Sequence, residues 1–130
     1  MFEHDAIILL IGLFTKHLIA DYYLQFSWMI KEKGNYGSWK GISHSGLHGL
    51  LTLLLLWNLE MSFIWSLTMG LLDTVLHYHI DWVKSNLWKR KKLGPNDQLY
   101  WMIHGTDQFL HMMTYVLILY FSIEPIKIIT

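Results

Sequence analysis

The sequence predicts an all-α fold, an integral membrane four-helix bundle made of two helical hairpins with both termini outside. Three observations carry this expectation. Of 130 residues, 53% are hydrophobic and only 15% charged, where an ordinary soluble domain is roughly 25% charged. The apolar residues fall into four stretches, each long enough to cross a bilayer. Basic residues gather in two connectors while the opposite ends are acidic. The length allows a single domain, residues 1–130.

The first helix is expected over residues 6–26, opening on Ile7-Ile8-Leu9-Leu10-Ile11. Before it, Phe2-Glu3-His4-Asp5 offers no basic region, and no small-residue cleavage site comes after it. This helix is therefore expected to remain in the mature protein. Lys31-Glu32-Lys33-Gly34-Asn35-Tyr36-Gly37 reads as a loop. The second helix, 42–59, carries Leu50-Leu51-Thr52-Leu53-Leu54-Leu55-Leu56-Trp57, and Asn58-Leu59-Glu60 reads as a tight hairpin. The third helix is expected over 62–83. Next comes a basic loop from Lys84 to Gln98, turning at Gly94-Pro95-Asn96-Asp97, and the fourth helix spans 99–123.

Lys31, Lys33 and Lys40 lie in the first connector, and Lys84, Lys89, Arg90, Lys91 and Lys92 in the other long one. The opposite ends hold Glu3, Asp5, Glu60, Glu124 and Lys127. Positive charge marks the cytoplasmic side, so both long connectors belong there. Trp28, Trp39, Trp57, Trp65, Trp82, Trp88 and Trp101 fall near the expected helix ends, as an interfacial belt requires. Ten Lys and Arg balance ten Asp and Glu, so no basic field speaks for nucleic acid. The absence of Cys excludes disulfides, thiolate metal sites and Cys nucleophiles.

Ionisable side chains are costly inside hydrocarbon and are usually paired or functional. This chain places them in pairs four residues apart: His17 and Asp21, His44 and His48, His77 and Asp81, Asp107 and His111. Residues at i and i+4 share a helical face. In the expected topology all four pairs meet in one layer of the cytoplasmic half. Imidazole and carboxylate suit zinc, iron and manganese. The eight residues are therefore candidate ligands for one or two ions, zinc foremost. Either a dinuclear centre or one metal with Asp residues orienting His satisfies the pattern. Glu3, Glu32, Glu60 and Glu124 sit at ends or in loops, which counts against a di-iron carboxylate centre.

The plainer reading of each polar residue is interhelical adhesion, contributing about 0.6 kcal/mol per contact. Four pairs at one depth favour the metal. His4 and His79 stand outside the pattern, whereas Asp73 and His104 fit either packing or the ligand shell. Lys84 reads as a snorkelling anchor or as a cation for an anionic group. Lys89-Arg90-Lys91-Lys92 reads as a lipid-facing topology signal. Gly41, Gly46 and Gly49 are expected to let helices approach closely around the His44–His48 pair.

These residues carry a resemblance. The run His17-Leu18-Ile19-Ala20-Asp21-Tyr22-Tyr23-Leu24-Gln25, the His44/His48 pair, the His77/Asp81/Lys84 set and the Asp107/Gln108/His111 set resemble small bacterial and phage membrane proteins catalogued as a domain of unknown function. The likeness spans most of the chain. It adds Gln25, Gln108 and Lys84 to the candidates and implies a multi-pass protein of the bacterial inner membrane. A looser similarity links the chain to inner-membrane proteins described as metal-dependent hydrolases.

The leading expectation is a metal-dependent hydrolase acting near the cytoplasmic headgroup layer on a lipid-like substrate. Asp21, Asp81, Asp107 and Lys84 are its candidate catalytic groups. A metal-stapled structural or interaction subunit and a metal or proton transporter are the alternatives. Membrane lipid and a second copy of the chain are the expected partners. No Gly-x-Ser-x-Gly, phosphate-binding Gly loop or His-Glu-x-x-His occurs to fix a reaction.

Overall fold

The computed structural model describes residues 2–128, with side chains from 5 to 123. Glu3, His4, Glu124 and Lys127 have side chains outside that described range. The elements are α1 (Phe2–Leu18), a π-helical turn (Ile19–Tyr23), α2 (Ser27–Ile30), α3 (Trp39–Asn58), α4 (Phe63–Lys91) and α5 (Gln98–Ile128). There is no strand among the described residues. The fold is all-α.

The first helix stops earlier than its apolar run. The π turn is closed by Leu24 N–H donating to Ile19 O at 2.9 Å, and the chain is extended at Phe26 before α2 begins. No Gly or Pro between Lys16 and Phe26 signals this stop, so hydropathy alone carried the expectation to residue 26. A π turn shifts the register of the residues after it, and such turns recur at functional sites. This one contains the buried Asp21.

The hairpin at residues 58–60 forms as expected. Glu60 takes a left-handed φ of 62°, and Met61 N–H donates to Leu56 O at 3.2 Å. Ser62 then caps α4 by accepting from Trp65 N–H at 3.3 Å. The basic loop is corrected: Lys84–Lys91 continues α4 by two turns before Lys92 closes it at φ 52°. Falling hydropathy marked an exit from hydrocarbon, but Lys, Leu and Arg are good helix formers and no breaker occurs before Gly94. The turn beyond it forms as expected, with Asp97 N–H donating to Gly94 O at 2.9 Å and Gly94 N–H to Asp97 Oδ2 at 2.7 Å. The longer α4 places Trp82 inside a helix rather than at its end, and Trp88, in the last turn, stacks on Tyr100 with centroids 4.1 Å apart.

The four long helices pack in a ring, α1 beside α3, α3 beside α4, α4 beside α5 and α5 beside α1. The α3–α4 contact is the closest. A Cβ on Gly70 would lie 2.6 Å from Gly49 O, and one on Gly49 would collide with Thr74 Oγ1 and Gly70 O. Gly49 thus has the role expected of it. Gly46 does not, since its Cβ would meet nothing within 4 Å, and a Cβ on Gly41 would make ordinary contact with Glu32 O at 3.6 Å. Sequence showed three glycines but not which of them faced α4.

Inside the ring are two layers. Leu9, Leu13, Leu56, Met69, Tyr115 and Ile118 fill one end. The other end is polar, with His17, Asp21, His44, His48, His77, Asp81, Asp107 and His111 all buried. The outside is apolar: Ile7, Ile8, Ile11, Leu50, Ile64, Leu71, Val75, Phe109 and Leu110 are exposed. Asp5–Tyr23, with a mean hydropathy of 1.4, is the one stretch among the described residues apolar and long enough to cross a membrane by that measure. The inward His, Asp and Thr of α3, α4 and α5 dilute the hydropathy of those helices.

The first connector is docked on α4. Asn86 Nδ2 donates to Gly34 O at 3.0 Å, Gly37 N–H donates to the Tyr78 hydroxyl at 2.6 Å, and the Tyr36 ring meets Trp82 edge-on at 5.2 Å. This docking turns Lys33 inward, where it is buried.

Candidate functional site

Five elements, α1, the π turn, α3, α4 and α5, bring the paired residues to one layer. Asp21, on the π turn, is the hub: its Oδ1 lies 3.0 Å from His44 Nε2, 3.1 Å from His48 Nε2 and 3.8 Å from His77 Nε2. His44 and His77 bring their Nε2 atoms within 3.2 Å of each other. A zinc ion with ligands about 2.0–2.1 Å away sets neighbouring donors of a tetrahedron about 3.3 Å apart. Four of the six separations here run from 3.0 to 3.8 Å, and all four donor atoms lie within 4.8 Å of one another, so the group could hold a metal ion. A second group, His77, Asp81 and His111, adjoins the first through His77. Its separations are 3.3 Å from His77 Nε2 to Asp81 Oδ2 and 3.8 Å from His111 Nε2 to Asp81 Oδ1. One imidazole nitrogen cannot complete both groups at once. Asp81 Oδ2, 3.5 Å from His44 Nε2, is the atom that links them.

All eight expected residues share the layer, but two stand outside these donor groups. His17 Nε2 is 3.2 Å from Asp21 Oδ2 and 3.2 Å from Gln108 Oε1, while its Nδ1 is 2.7 Å from the Tyr115 hydroxyl. Both of its nitrogens are engaged, and the ring fixes the second oxygen of Asp21. Asp107 sits 3.5 Å from His111 Nε2 and accepts from Lys84 Nζ at 2.8 Å and Gln108 Nε2 at 3.0 Å. Gln25 donates to the backbone carbonyl of Asp21 at 2.9 Å, bracing the π turn.

Lys84 is also 3.3 Å from Asp81 Oδ1, and Lys33 lies 2.6 Å from Asp81 Oδ2. Asp73, left open by the sequence, pairs with Lys16 and accepts from Thr52 Oγ1 at 2.6 Å. Lys16 also sits over the Tyr115 ring, 4.5 Å from its centroid. His104 is half-buried near Trp88 and Trp101, outside both donor groups. His79 is exposed, bonded to Val75 O at 2.7 Å and 3.1 Å from the Tyr36 hydroxyl.

Sequence reasoning missed Lys16, Lys33 and Tyr115. Lys16 was detectable, because a lysine inside an apolar run needs a buried partner. Lys33 gave no such signal, since its position in a polar connector suits solvent equally well. Four buried carboxylates, Asp21, Asp73, Asp81 and Asp107, face three ammonium groups, Lys16, Lys33 and Lys84. With neutral imidazoles one negative charge is left over, which a bound cation or one imidazolium offsets. A cleft of about 340 Å³ reaches the layer from the connector side, and Asp21, Gln25, Lys33, Lys84, His104 and Gln108 line it.

Fold and site together define an all-α protein with a buried His/Asp/Lys centre at one end of a helical ring. Residues 9–129 match the family described as "Protein of unknown function (DUF3307)", and the chain belongs to that family. No curated protein and no solved structure shows a significant match to it.

Proposed function

We propose that this protein is a four-span inner-membrane metalloprotein, a hydrolase acting on a lipid-like substrate near the cytoplasmic headgroup layer. The observation that carries the reading is the convergence of Asp21, His44, His48 and His77 on donor spacings that suit one zinc ion. The membrane part rests on the inverted distribution of polarity. Ile7, Ile11, Leu50, Ile64, Leu71 and Phe109 face outward while His and Asp face inward, the reverse of a water-soluble domain. The basic connectors lie at the polar end, as the positive-inside rule asks of a cytoplasmic face.

Asp21, His44, His48 and His77 would hold the metal. When bound, zinc polarises a carbonyl or phosphoryl oxygen and makes a nearby water more acidic. His17 orients Asp21 through its second oxygen. Asp81, between Lys33 and Lys84, is placed to accept a proton beside His77. Lys84, held by Asp107, presents its ammonium to the cleft and to an anionic group there.

The test is metal analysis of the full-length protein purified in detergent, beside His44→Ala and His48→Ala. Zinc, manganese or iron near one or two equivalents, lost in both variants, supports the centre. Metal-free wild type that stays folded, with unchanged stability in the variants, would overturn it.

One observation favours a transport reading. Lys16, Asp73 and Thr52 continue the polar set one turn beyond His48, as a proton or ion relay would. Beyond them Leu13, Leu56, Tyr115 and Ile118 leave no exposed surface and fill the ring. Metal or proton uptake into sealed vesicles separates this reading from hydrolysis.

A further inference from the structure

A second cleft of about 440 Å³ lies between α4 and α5 and meets the first at Lys84. Both fall within the size range of small-ligand sites, roughly 300–1,000 Å³. Their walls differ in kind. The first is basic: Lys31, Lys33, Lys84 and Lys89 line it, and Asp21 is the only carboxylate among its described lining residues. The second is aliphatic, walled by Ile80, Val83, Leu87, Met102, Ile103 and Leu110, with Lys84 and Asp107 at its polar edge. Lys33 and Lys84 are matched by Asp81 and Asp107, whereas Lys31 and Lys89 have no carboxylate within ion-pair distance among the described residues. Lys31 and Lys89 therefore place two ammonium groups at the mouth of the basic cleft that no described carboxylate holds in an ion pair, with Glu32 close enough to Lys89 to feel its charge. Apolar wall and basic wall join at one side chain whose aliphatic stem and ammonium suit the two surroundings.

We propose that the two clefts form one binding site for an anionic, phosphate-bearing lipid. One acyl chain lies between α4 and α5, and the phosphate lies among Lys31, Lys33, Lys84 and Lys89. The site rests on the membrane reading above and narrows its substrate class to lipids that carry a phosphate and net negative charge. The chain enters sideways from the bilayer along α4 and α5. The headgroup then sits against the opening that leads to Asp21. A zwitterionic lipid of the same chain length fills the apolar cleft but brings no net charge to the four lysines.

The test is native mass spectrometry of the full-length protein in detergent, titrated with dioleoyl phosphatidate, dioleoyl phosphatidylcholine or inorganic phosphate, with metal content read on the same samples. Each lysine near a membrane surface contributes about 1 kcal/mol toward an anionic lipid, so Lys31→Gln with Lys89→Gln should weaken phosphatidate binding on the order of tenfold or more. That double variant should weaken phosphatidylcholine binding much less, because its choline already offsets the phosphate charge. Thr106→Trp, which fills the apolar cleft from its rim, should weaken phosphatidate binding and spare binding of inorganic phosphate. The proposal is overturned if wild type binds phosphatidylcholine as tightly as phosphatidate. It is equally overturned if the lysine variant keeps full phosphatidate affinity, if Thr106→Trp has no effect, or if the protein is monodisperse without detergent. Metal-free protein with this lipid pattern intact supports the lipid site and removes only the metal centre.

Discussion

At the apolar end of the ring, around Leu13, Leu56 and Ile118, two buried hydroxyls bond back to carbonyls one turn earlier in the chain, while that of Ser122 has no partner among the described residues. Ser66 Oγ donates to Ser62 O at 3.0 Å, and Thr114 Oγ1 donates to Leu110 O at 3.1 Å. At the opposite end the polar contacts run between helices. Asp21 reaches His44 and His48 on α3, Lys84 on α4 reaches Asp107 on α5, and His17 on α1 reaches Tyr115 and Gln108 on α5. The hydroxyls of Ser66 and Thr114 at the first end are satisfied locally, and the rest of that end packs by shape. The second end draws its partners from other helices, and His44 Nδ1 and His77 Nδ1 still have none among the described residues. One end therefore stores its specificity in volume and the other in charge, and each fails in its own way when a side chain is removed.

The largest effect should come from the donor set. His48→Ala is expected to remove most of the bound metal, as measured by plasma emission spectrometry of the purified protein. Retention of the full metal content would remove His48 from the site. It would also reduce the contrast between the two ends to an ordinary polar network.

Next in size is the Lys16–Asp73 pair, buried between the layers. Removing one partner of a buried ion pair strands the other, at a cost of about 3–5 kcal/mol. Lys16→Met and Asp73→Leu should each lower the thermal midpoint in detergent markedly, and the double variant should recover most of the loss. If the effects simply add, the two residues do not act as a pair.

Leu56→Ala, at the apolar end, should cost about 2–5 kcal/mol by leaving a cavity, with metal content unchanged. Metal loss in this variant would mean that the two ends are coupled rather than separate.

The smallest effect is at Gly46, where a Cβ meets nothing within 4 Å. Gly46→Ala should be neutral or stabilising by at most about 1 kcal/mol. Gly49→Ala, three residues on, should be strongly destabilising because its Cβ collides with Gly70 O. Similar thermal midpoints for the two variants would refute the close α3–α4 crossing.

Much of this molecule was legible in its sequence. Spacing of four placed His17 with Asp21, His44 with His48, His77 with Asp81 and Asp107 with His111, because helical periodicity is a local property. Antiparallel order then set all four pairs at one end. The tight hairpin at Asn58-Leu59-Glu60 and the turn at Gly94–Asp97 were legible for the same local reason, though not the left-handed φ of Glu60. Helix ends were less so. Hydropathy reports the surroundings of a segment, not its backbone, so α4 ran on through Lys84–Lys91 and the first helix broke at a π turn that no Gly or Pro announced.

The sequence by itself determined that the fold is helical, that its polar residues fall on shared faces, and that those faces gather at one end. Only the tertiary structure decided which groups meet. It turned Lys33 from a connector onto Asp81, paired Lys16 with Asp73, and set His17 behind Asp21 rather than among the converging donors. It also chose Gly49 over Gly46 as the point where backbones touch. The reason is physical. A helix fixes the angle between its own side chains, but rotation about its axis and the docking of connectors are settled by contacts with the other helices.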